Sequence, residues 1–259
     1  MVPCPTGEHI INTQVARTRA ADIPWAWVAA ITIVVFLLAP AIWNGYPLLE
    51  YDTGGYLARW YEGYLVPSRS TVYGIYLHLG ESSYFWINLA FQAVLTLWIL
   101  QLTLRVLGMV RPQRLLAIAL VLILTTALPW LASMLLTDIF AGLAVLSLFL
   151  LVVHNDKLST VEKILLFLYT SFAAATHSAT FGVLFGLCVL GWITKPWLRR
   201  RLSFSGLVQG SVTLVVGAAM LLAAMIALSG NLAWTPGGAG VSFGRMMQDG
   251  IGARYLNDH

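Results

Sequence analysis

Five long apolar runs dominate this 259-residue sequence and restrict the folds that it can adopt. One crossing of a membrane by a helix needs about 20 mostly apolar residues. The runs 25–43, 84–106 and 207–228 each fit one crossing. The runs 115–153 and 164–193 are too long for one crossing, and polar residues interrupt each of them near its middle. We therefore predict a helical hairpin in each of these two runs and about seven membrane-spanning helices in all.

The composition excludes a soluble globular protein, a disordered chain and a small disulfide-rich domain. Hydrophobic residues make up 59% of the chain and charged residues only 10%, compared with roughly 25% charged residues in an ordinary soluble domain. So few charges cannot cover the surface of a soluble protein of this size, whereas the apolar content is too high for a disordered chain. Two cysteines are too few for a disulfide scaffold. The sequence predicts an all-α, polytopic membrane helix bundle.

The distribution of lysine and arginine predicts the orientation of this bundle, because basic residues are retained on the cytoplasmic side of a membrane. With a cytoplasmic N-terminus and an external C-terminus, 11 of the 15 basic residues lie inside. These are Arg17, Arg19, Arg105, Arg111, Arg114, Lys157, Lys163, Lys195, Arg199, Arg200 and Arg201. The net charge of +4 therefore reflects topology and gives no support for a nucleic-acid partner. We expect a bacterial inner (plasma) membrane protein.

The predicted spans divide the chain into three parts. Residues 1–23 form a cytoplasmic tail, and residues 24–230 form the transmembrane module, which includes an external loop at 45–83. Residues 231–259 form an external segment that is rich in glycine and lacks a helix stop signal, so we expect it to be truncated. Eight of the ten tyrosines lie between positions 46 and 84. They predict short amphipathic helices along the membrane surface, where tyrosines serve either as interfacial anchors or as a platform for a sugar or isoprenoid.

Three polar residues stand out because each lies at a predicted external turn. Asp52, preceded by Glu50, lies just beyond the first span, Asp138 lies at the external end of the fourth, and His177 lies in the turn of the second hairpin. Each has a simpler interpretation, since aspartate often caps a helix and a turn histidine often only bonds the backbone. At Asp138, Thr137 would share the capping.

The combination of these residues is more informative than any one of them. Asp52, Asp138 and His177 come from three turns that lie at the same depth, and the loop 45–83 is long enough to cover a recess between them. A helix that begins after Asp52 would place Tyr56 and Arg59 on the face below it. A polar recess bordered by lipid suits a water-borne group that is carried on a lipid tail.

The motifs in these segments resemble those of the GT-C superfamily of membrane glycosyltransferases, which includes the protein O-mannosyltransferases and the aminoarabinose transferases that modify lipid A. The resemblance covers about residues 25–230, the N-terminal portion of such enzymes. It rests on an acidic-Thr-Gly-x-Tyr segment, a following Arg-x-x-x-Tyr-Gly segment, and the acidic start of the fourth span in LLTDIFAGL. The residues concerned are Asp52, Thr53, Gly54, Tyr56, Arg69, Tyr73, Gly74 and Asp138.

The resemblance implies transfer of a sugar from a polyprenyl-phosphate carrier to a lipid, glycan or protein acceptor on the external face of the membrane. Asp52 would accept or position the proton of the acceptor, and Asp138 would be the second catalytic acid. Arg59 and Arg69 are candidates for holding the departing phosphate. Their simpler roles are an ion pair of Arg59 with Glu62 and a lipid-headgroup contact of Arg69. The other predicted substrate-binding residues are Glu50, Tyr56, Tyr73 and His177.

Two other functions fit the same residues. In a transporter or flippase, Asp138 and His177 would form a proton or substrate path. A catalytically silent membrane subunit is the other alternative. A divalent cation could be held by Glu50, Asp52, Asp138 and His177, but their spacing does not require one, and we predict no metal site.

Overall fold

A computed structural model describes residues 24–258, and this part of the chain is helical without a β-strand. The predicted cytoplasmic tail 1–23, with Arg17 and Arg19, lies outside the described residues. The α-helices in chain order are α1 Pro24–Leu37, α2 Ala39–Asn44, α3 Tyr51–Tyr61, α4 Thr71–Leu79, α5 Trp86–Val106, α6 Pro112–Thr125, α7 Leu128–Ser133, α8 Asp138–Val153, α9 Thr160–Thr176, α10 Ser178–Thr194, α11 Phe204–Ser229, α12 Gly238–Gln248 and α13 Ile251–Asp258. Short 3₁₀-helices precede α5 and α9. The prediction of an all-α chain is confirmed.

Two helices of the described part, α5 and α11, have the length and hydropathy of a membrane span. At 1.5 Å per residue, the 26 residues of α11 extend over about 39 Å. Helices also occupy the other five predicted span positions, but α1, α6, α8 and α10 are apolar helices of fewer than 18 residues. The helix lengths therefore do not establish the predicted count of seven spans.

The helices α8, α9, α10 and α11 pack against one another, and the short connections between successive helices make their directions alternate. Glycines on α11 allow the closest approaches. A Cβ atom added at Gly206 would lie 2.1 Å from the carbonyl oxygen of Leu151 on α8, and one at Gly217 would lie 2.7 Å from that of Ser171 on α9. Small residues at such positions let two helix backbones come into contact, as they do in helix pairs within membranes.

The alternating directions give this bundle two chemically different ends. One end contains the start of α8 and the turn between α9 and α10, and we call it the acidic end after Asp138. The other contains the end of α8, the end of α10 and the linker to α11, and we call it the basic end after Lys157 and Arg199 to Arg201.

The loop 45–83 is helical, as predicted, but parts of it are packed into the bundle instead of lying on its surface. In α4, the side chains of Tyr73 and Leu77 are 0% exposed. The hydroxyl of Tyr76 donates to the carbonyl of Asn88, and the Asn88 amide donates to the carbonyl of Tyr76, at 2.8 and 2.7 Å. The tyrosines of this loop therefore divide into buried packing residues and exposed ones such as Tyr51.

Candidate functional site

The start of α3 is attached to the segment that precedes α8. The Leu48 N–H donates to the carbonyl of Ser133 at 2.9 Å, and the Leu135 N–H donates to the carbonyl of Leu48 at 3.0 Å. The hydroxyl of Thr53 donates to the carbonyl of Leu135 at 3.0 Å. These three hydrogen bonds hold the chain around Asp52 against the chain that leads into Asp138.

Asp52 does not cap α3, contrary to its simpler interpretation. The helix begins at Tyr51, and its N-cap residue is Glu50, whose N–H donates to the Thr53 hydroxyl at 3.0 Å. Asp52 therefore lies in the first turn with its carboxylate available for another partner. At α8, Thr137 is the N-cap residue but makes no side-chain capping bond, and the helix begins at Asp138 itself.

The partner of Asp52 is Arg69, which approaches from the turn before α4. Their side chains form an ion pair and are 37% and 28% exposed, respectively, so that a ligand can reach both. The Arg69 guanidinium also lies over the ring of Tyr56, 5.8 Å from the ring centroid. Gly55 leaves room for it, since a Cβ atom there would lie 3.3 Å from Cγ of Arg69. This pair is not predicted by the sequence analysis.

Tyr56 connects the two predicted catalytic acids. Its side chain is buried. Burial raises the pKa of the Tyr56 hydroxyl, the nearby Thr137 side chain and the Arg69 charge oppose this rise, and the negative charges of Asp52 and Asp138 add to it. Both carboxylates are therefore close enough to act electrostatically on one phenol group.

His177 has the backbone contact that its simpler interpretation predicts. It is the N-cap residue of α10, and the Ala179 N–H donates to its Nδ1 at 3.1 Å. Because Nδ1 accepts this bond, the ring proton of the neutral imidazole lies on Nε2. The ring is exposed, and Nε2–H is thus a donor for a ligand near the turn.

Two neighbouring cavities open at the acidic end, and His177 lines both. The first, of about 300 Å³, we call the Arg69 cavity, and its polar lining includes Tyr56, Ser68, Arg69, Ser70, His177 and Thr235. The second, of about 270 Å³, we call the Asp138 cavity, and its polar lining consists of Thr137, Asp138, His177 and Thr180. The histidine thus adjoins both the cavity lined by Arg69 and the cavity lined by Asp138.

The walls of the Arg69 cavity come from three distant parts of the chain. The Ser70 hydroxyl donates to the carbonyl of Ala175 at 2.8 Å, which joins the start of α4 to the end of α9. After α11, the Trp234 indole N–H donates to the Ser178 hydroxyl at 3.0 Å. The contribution of Ser70, Trp234 and Thr235 is not among the predictions from the sequence. Only Ser70 carried a signal, as a serine at the start of a helix.

Three predicted substrate-binding residues are not in the lining of either cavity. The Arg59 guanidinium donates to the carbonyl of Gly63 at 3.0 Å, and this replaces the expected pair with Glu62. Glu50 is exposed at the start of α3. Tyr73 lies behind Tyr56, with its ring edge-on to the Tyr56 ring at 4.7 Å between centroids.

The four residues considered as cation ligands do not gather into one site. Within residues 24–258, no three side chains of histidine, cysteine, aspartate or glutamate lie close enough together to hold a metal ion. Asp52 and Asp138 instead adjoin an arginine and a histidine, respectively.

Comparison with known proteins gives no relative for this chain. No family model matches the sequence, and no similar protein was found among curated sequences or solved structures. A function for this chain therefore rests on the chemistry that the residues of the acidic end can perform.

Proposed function

We propose that this chain is an integral membrane glycosyltransferase of the GT-C type, which transfers a sugar from a polyprenyl-phosphate carrier to a lipid, glycan or protein acceptor. The observation that carries the proposal is that Arg69, the ion-pair partner of Asp52, lines a cavity that shares His177 with the cavity of Asp138. A carboxylate, a guanidinium and an imidazole N–H lie close to one another here. Transfer of a sugar from a phosphate carrier needs a proton acceptor and groups that stabilise the leaving phosphate, and these side chains can provide both.

The reaction has simple requirements. A hydroxyl oxygen of the acceptor attacks the anomeric carbon, and the bond from this carbon to the phosphate oxygen breaks. The phosphate leaves with the electron pair, and the proton of the hydroxyl passes to a base. A carboxylate is needed on the acceptor side to take the proton, and positive or N–H groups are needed on the other side to stabilise the developing charge of the phosphate.

Arg69 is the residue that would hold the phosphate. A guanidinium binds the two non-bridging oxygens of the donor's phosphodiester through two hydrogen bonds, and it holds the second negative charge that the phosphate gains as it leaves. His177 adds its Nε2–H as a second donor in the same cavity. When the phosphate displaces Asp52 from Arg69, the carboxylate is released and becomes available as the proton acceptor. Binding of the donor would thereby prepare the base.

Asp138 would orient the acceptor from the second cavity. It has no ion-pair partner within residues 24–258, and its carboxylate shares the Asp138 cavity with His177 and Thr180. The acceptor hydroxyl would lie between Asp138, which orients it, and the carboxylate of Asp52, which takes its proton once the phosphate has bound Arg69. Holding the reacting groups in one fixed arrangement lowers the barrier of the displacement.

The proposed membrane topology places the acidic end outside. Seven helices would cross the bacterial inner membrane, with α5 and α11 as full-length spans and the shorter helices accommodated by local thinning of the bilayer. Lys157 and Arg199 to Arg201 then lie on the cytoplasmic side, where basic residues are retained. Lipid-linked sugars that face the external side would reach Arg69 from within the bilayer.

The test is sugar transfer by the full chain in proteoliposomes, with undecaprenyl-phosphate mannose, glucose and aminoarabinose as radiolabelled donors. Asp52→Asn keeps the size of the side chain but removes its ability to accept a proton, and we expect at least a 100-fold loss of transfer. Asp249→Asn is the control. It removes an exposed carboxylate that pairs with Arg245, and transfer should not change.

Three results would overturn the proposal or part of it. Unchanged transfer by a folded Asp52→Asn variant would reject Asp52 as the base. Absence of transfer from every donor by the wild-type chain, together with pH-dependent solute uptake that is lost in Asp138→Asn, would favour a transporter. A loss of thermal stability that parallels the loss of transfer in Asp52→Asn would assign Asp52 a structural role.

A further inference from the structure

The basic end of the bundle contains an open cavity of about 640 Å³, which we call the basic cavity. Its charged lining is Asp156, Lys157, Arg199, Arg200 and Arg201. Four cationic groups and one carboxylate give this lining a net charge of +3. The three arginines are exposed and make no ion pair with any residue of the described part. The cavity therefore has unneutralised positive charge that suits an anionic ligand.

The polar walls of the basic cavity are held in place by hydrogen bonds. The Asn155 amide donates to the Gln209 side chain at 3.0 Å, and the Ser205 hydroxyl donates to the Asn155 side chain at 3.3 Å. The Ser203 N–H donates to the carbonyl of Val152 at 2.8 Å. Lys157 is fixed as well, because its ammonium group donates to the carbonyl of Val106 at 2.8 Å.

An apolar groove of about 300 Å³ adjoins this cavity. It runs between α8 and α10 and is lined almost entirely by aliphatic and aromatic side chains, among them Leu148, Phe149, Leu187 and Leu190. Val153 and Leu202 line both the groove and the basic cavity. A positively charged recess thus continues into an apolar channel along the side of the bundle.

We propose that this end of the protein binds an anionic phospholipid, with the lipid phosphate among Arg199 to Arg201 and one acyl chain in the groove. The combination favours a lipid over a water-soluble phosphate, because a soluble ligand would use the charges and leave the groove unfilled. Juxtamembrane arginines attract anionic lipids by about 1 kcal/mol each. The inference rests on the membrane location proposed above, but not on sugar transfer.

The test is native mass spectrometry of the purified full chain in detergent, titrated with phosphatidylglycerol and, separately, with phosphatidylcholine. Two arginines at about 1 kcal/mol each correspond to roughly a 30-fold change in the dissociation constant. We therefore expect Arg200→Gln with Arg201→Gln to weaken phosphatidylglycerol binding by roughly 10- to 30-fold and to leave phosphatidylcholine binding unchanged. The matched control, Arg111→Gln with Arg114→Gln, removes two exposed arginines before and in α6 and should change binding less than 2-fold.

A second pair of variants tests the groove. Leu187→Trp would fill the channel and should weaken phosphatidylglycerol binding several-fold, whereas Leu168→Trp, at an exposed position of α9, should not. Equal weakening by both arginine pairs would mean unspecific charge attraction and would overturn the proposal. Full competition by glycerol 3-phosphate, with no effect of Leu187→Trp, would instead identify a site for a water-soluble phosphate.

These measurements separate this inference from the proposed enzyme activity. A chain that binds phosphatidylglycerol as expected but transfers no sugar would contradict only the glycosyltransferase. A chain that transfers sugar but shows no preference for phosphatidylglycerol would contradict only the lipid site. If the double arginine variant does not fold, Arg200→Gln alone removes one exposed charge, and a change of roughly 5-fold is expected from it.

Discussion

The hydroxyl of Thr53 donates a hydrogen bond to the backbone carbonyl of Leu135, 82 residues later in the chain, at 3.0 Å. Thr53 directly follows one predicted catalytic acid, and Leu135 lies three residues before the other. The same hydroxyl accepts the N–H of Glu50 at the start of α3. One buried oxygen atom therefore completes a helix start and attaches it to the segment that positions Asp138.

Thr53→Val should destabilise the folded protein and disturb the site. Valine has nearly the same shape, but it leaves the Glu50 N–H and the Leu135 carbonyl without this partner at a position that is 2% exposed. We expect a loss of about 1–3 kcal/mol in the free energy of unfolding, measured by thermal or chemical denaturation in detergent. Thr125→Val is the control, since the Thr125 hydroxyl is exposed and bonds only within its own helix. Equal losses in both variants would show that the contact with Leu135 has no special weight.

Tyr73→Phe should leave stability unchanged or raise it by about 1 kcal/mol. The Tyr73 hydroxyl is buried and has no hydrogen-bond partner among the described residues, so that removing it also removes an unsatisfied polar group. The matched control is Tyr169→Phe, because the Tyr169 hydroxyl is buried and donates to the carbonyl of Phe140 at 2.8 Å. This variant should lose about 1 kcal/mol. A Tyr73→Phe variant that is less stable than Tyr169→Phe would mean that the Tyr73 hydroxyl has a partner, such as a bound water molecule.

The helical fold was predictable because hydropathy determines it. Each of the predicted apolar spans contains a helix, and a helix is the structure that satisfies the backbone of such a run if it lies in a bilayer. The lengths of the helices were not predictable in the same way. Pro129 lies at the start of the separate helix α7, and the short α6 before it ends at Thr125 instead of continuing through the apolar run.

The contents of the site were predictable only in part. Asp138 and His177 adjoin one cavity because both lie at turns on the same side of an antiparallel bundle. The order and number of the predicted helices are enough to predict this. The pairing of Asp52 with Arg69 depends on how α3 and α4 pack, and no local pattern predicts it. Helix-capping preferences also favour aspartate over glutamate as the N-cap residue of α3. In the structure Glu50 is the N-cap residue, because its N–H donates to the hydroxyl of Thr53.

Gly74→Ala should separate α3 from α4 and reduce stability. A Cβ atom at Gly74 would lie 2.6 Å from the carbonyl oxygen of Tyr56, and a backbone atom cannot move away as a flexible side chain can. We expect a loss of about 1–3 kcal/mol and a loss of sugar transfer, because Tyr56 lies beneath Arg69. The control is Gly54→Ala on the exposed face of α3, where an added Cβ would meet nothing within 4 Å. That change should be neutral or stabilising by up to about 1 kcal/mol. A neutral Gly74→Ala would show that the two helices are not in close contact.

The stability that Glu162 contributes should disappear in acid. Its carboxylate accepts two hydrogen bonds from Arg105, at 2.6 and 2.8 Å, and one from the Ser159 N–H. The bonds from Arg105 are the main cause that lowers the pKa of Glu162 from 4.5 to about 2. A depressed pKa in the folded state means that the carboxylate stabilises the fold above pH 4.5, and that this contribution is lost as the pH falls from 4.5 towards 2.

Glu162→Gln should therefore lower the free energy of unfolding at pH 6, by about 1 kcal/mol because the pair is partly exposed to solvent. The difference from the wild type should shrink steadily between pH 4.5 and pH 2.5, as measured by denaturation at each pH. Asp249→Asn is the control, because its pair with Arg245 is exposed and 3.6 Å long, and it should change stability by less than about 0.5 kcal/mol throughout. A difference for Glu162→Gln that stays constant down to pH 2.5 would mean that the side chain contributes through packing and capping geometry, and that its charge adds nothing.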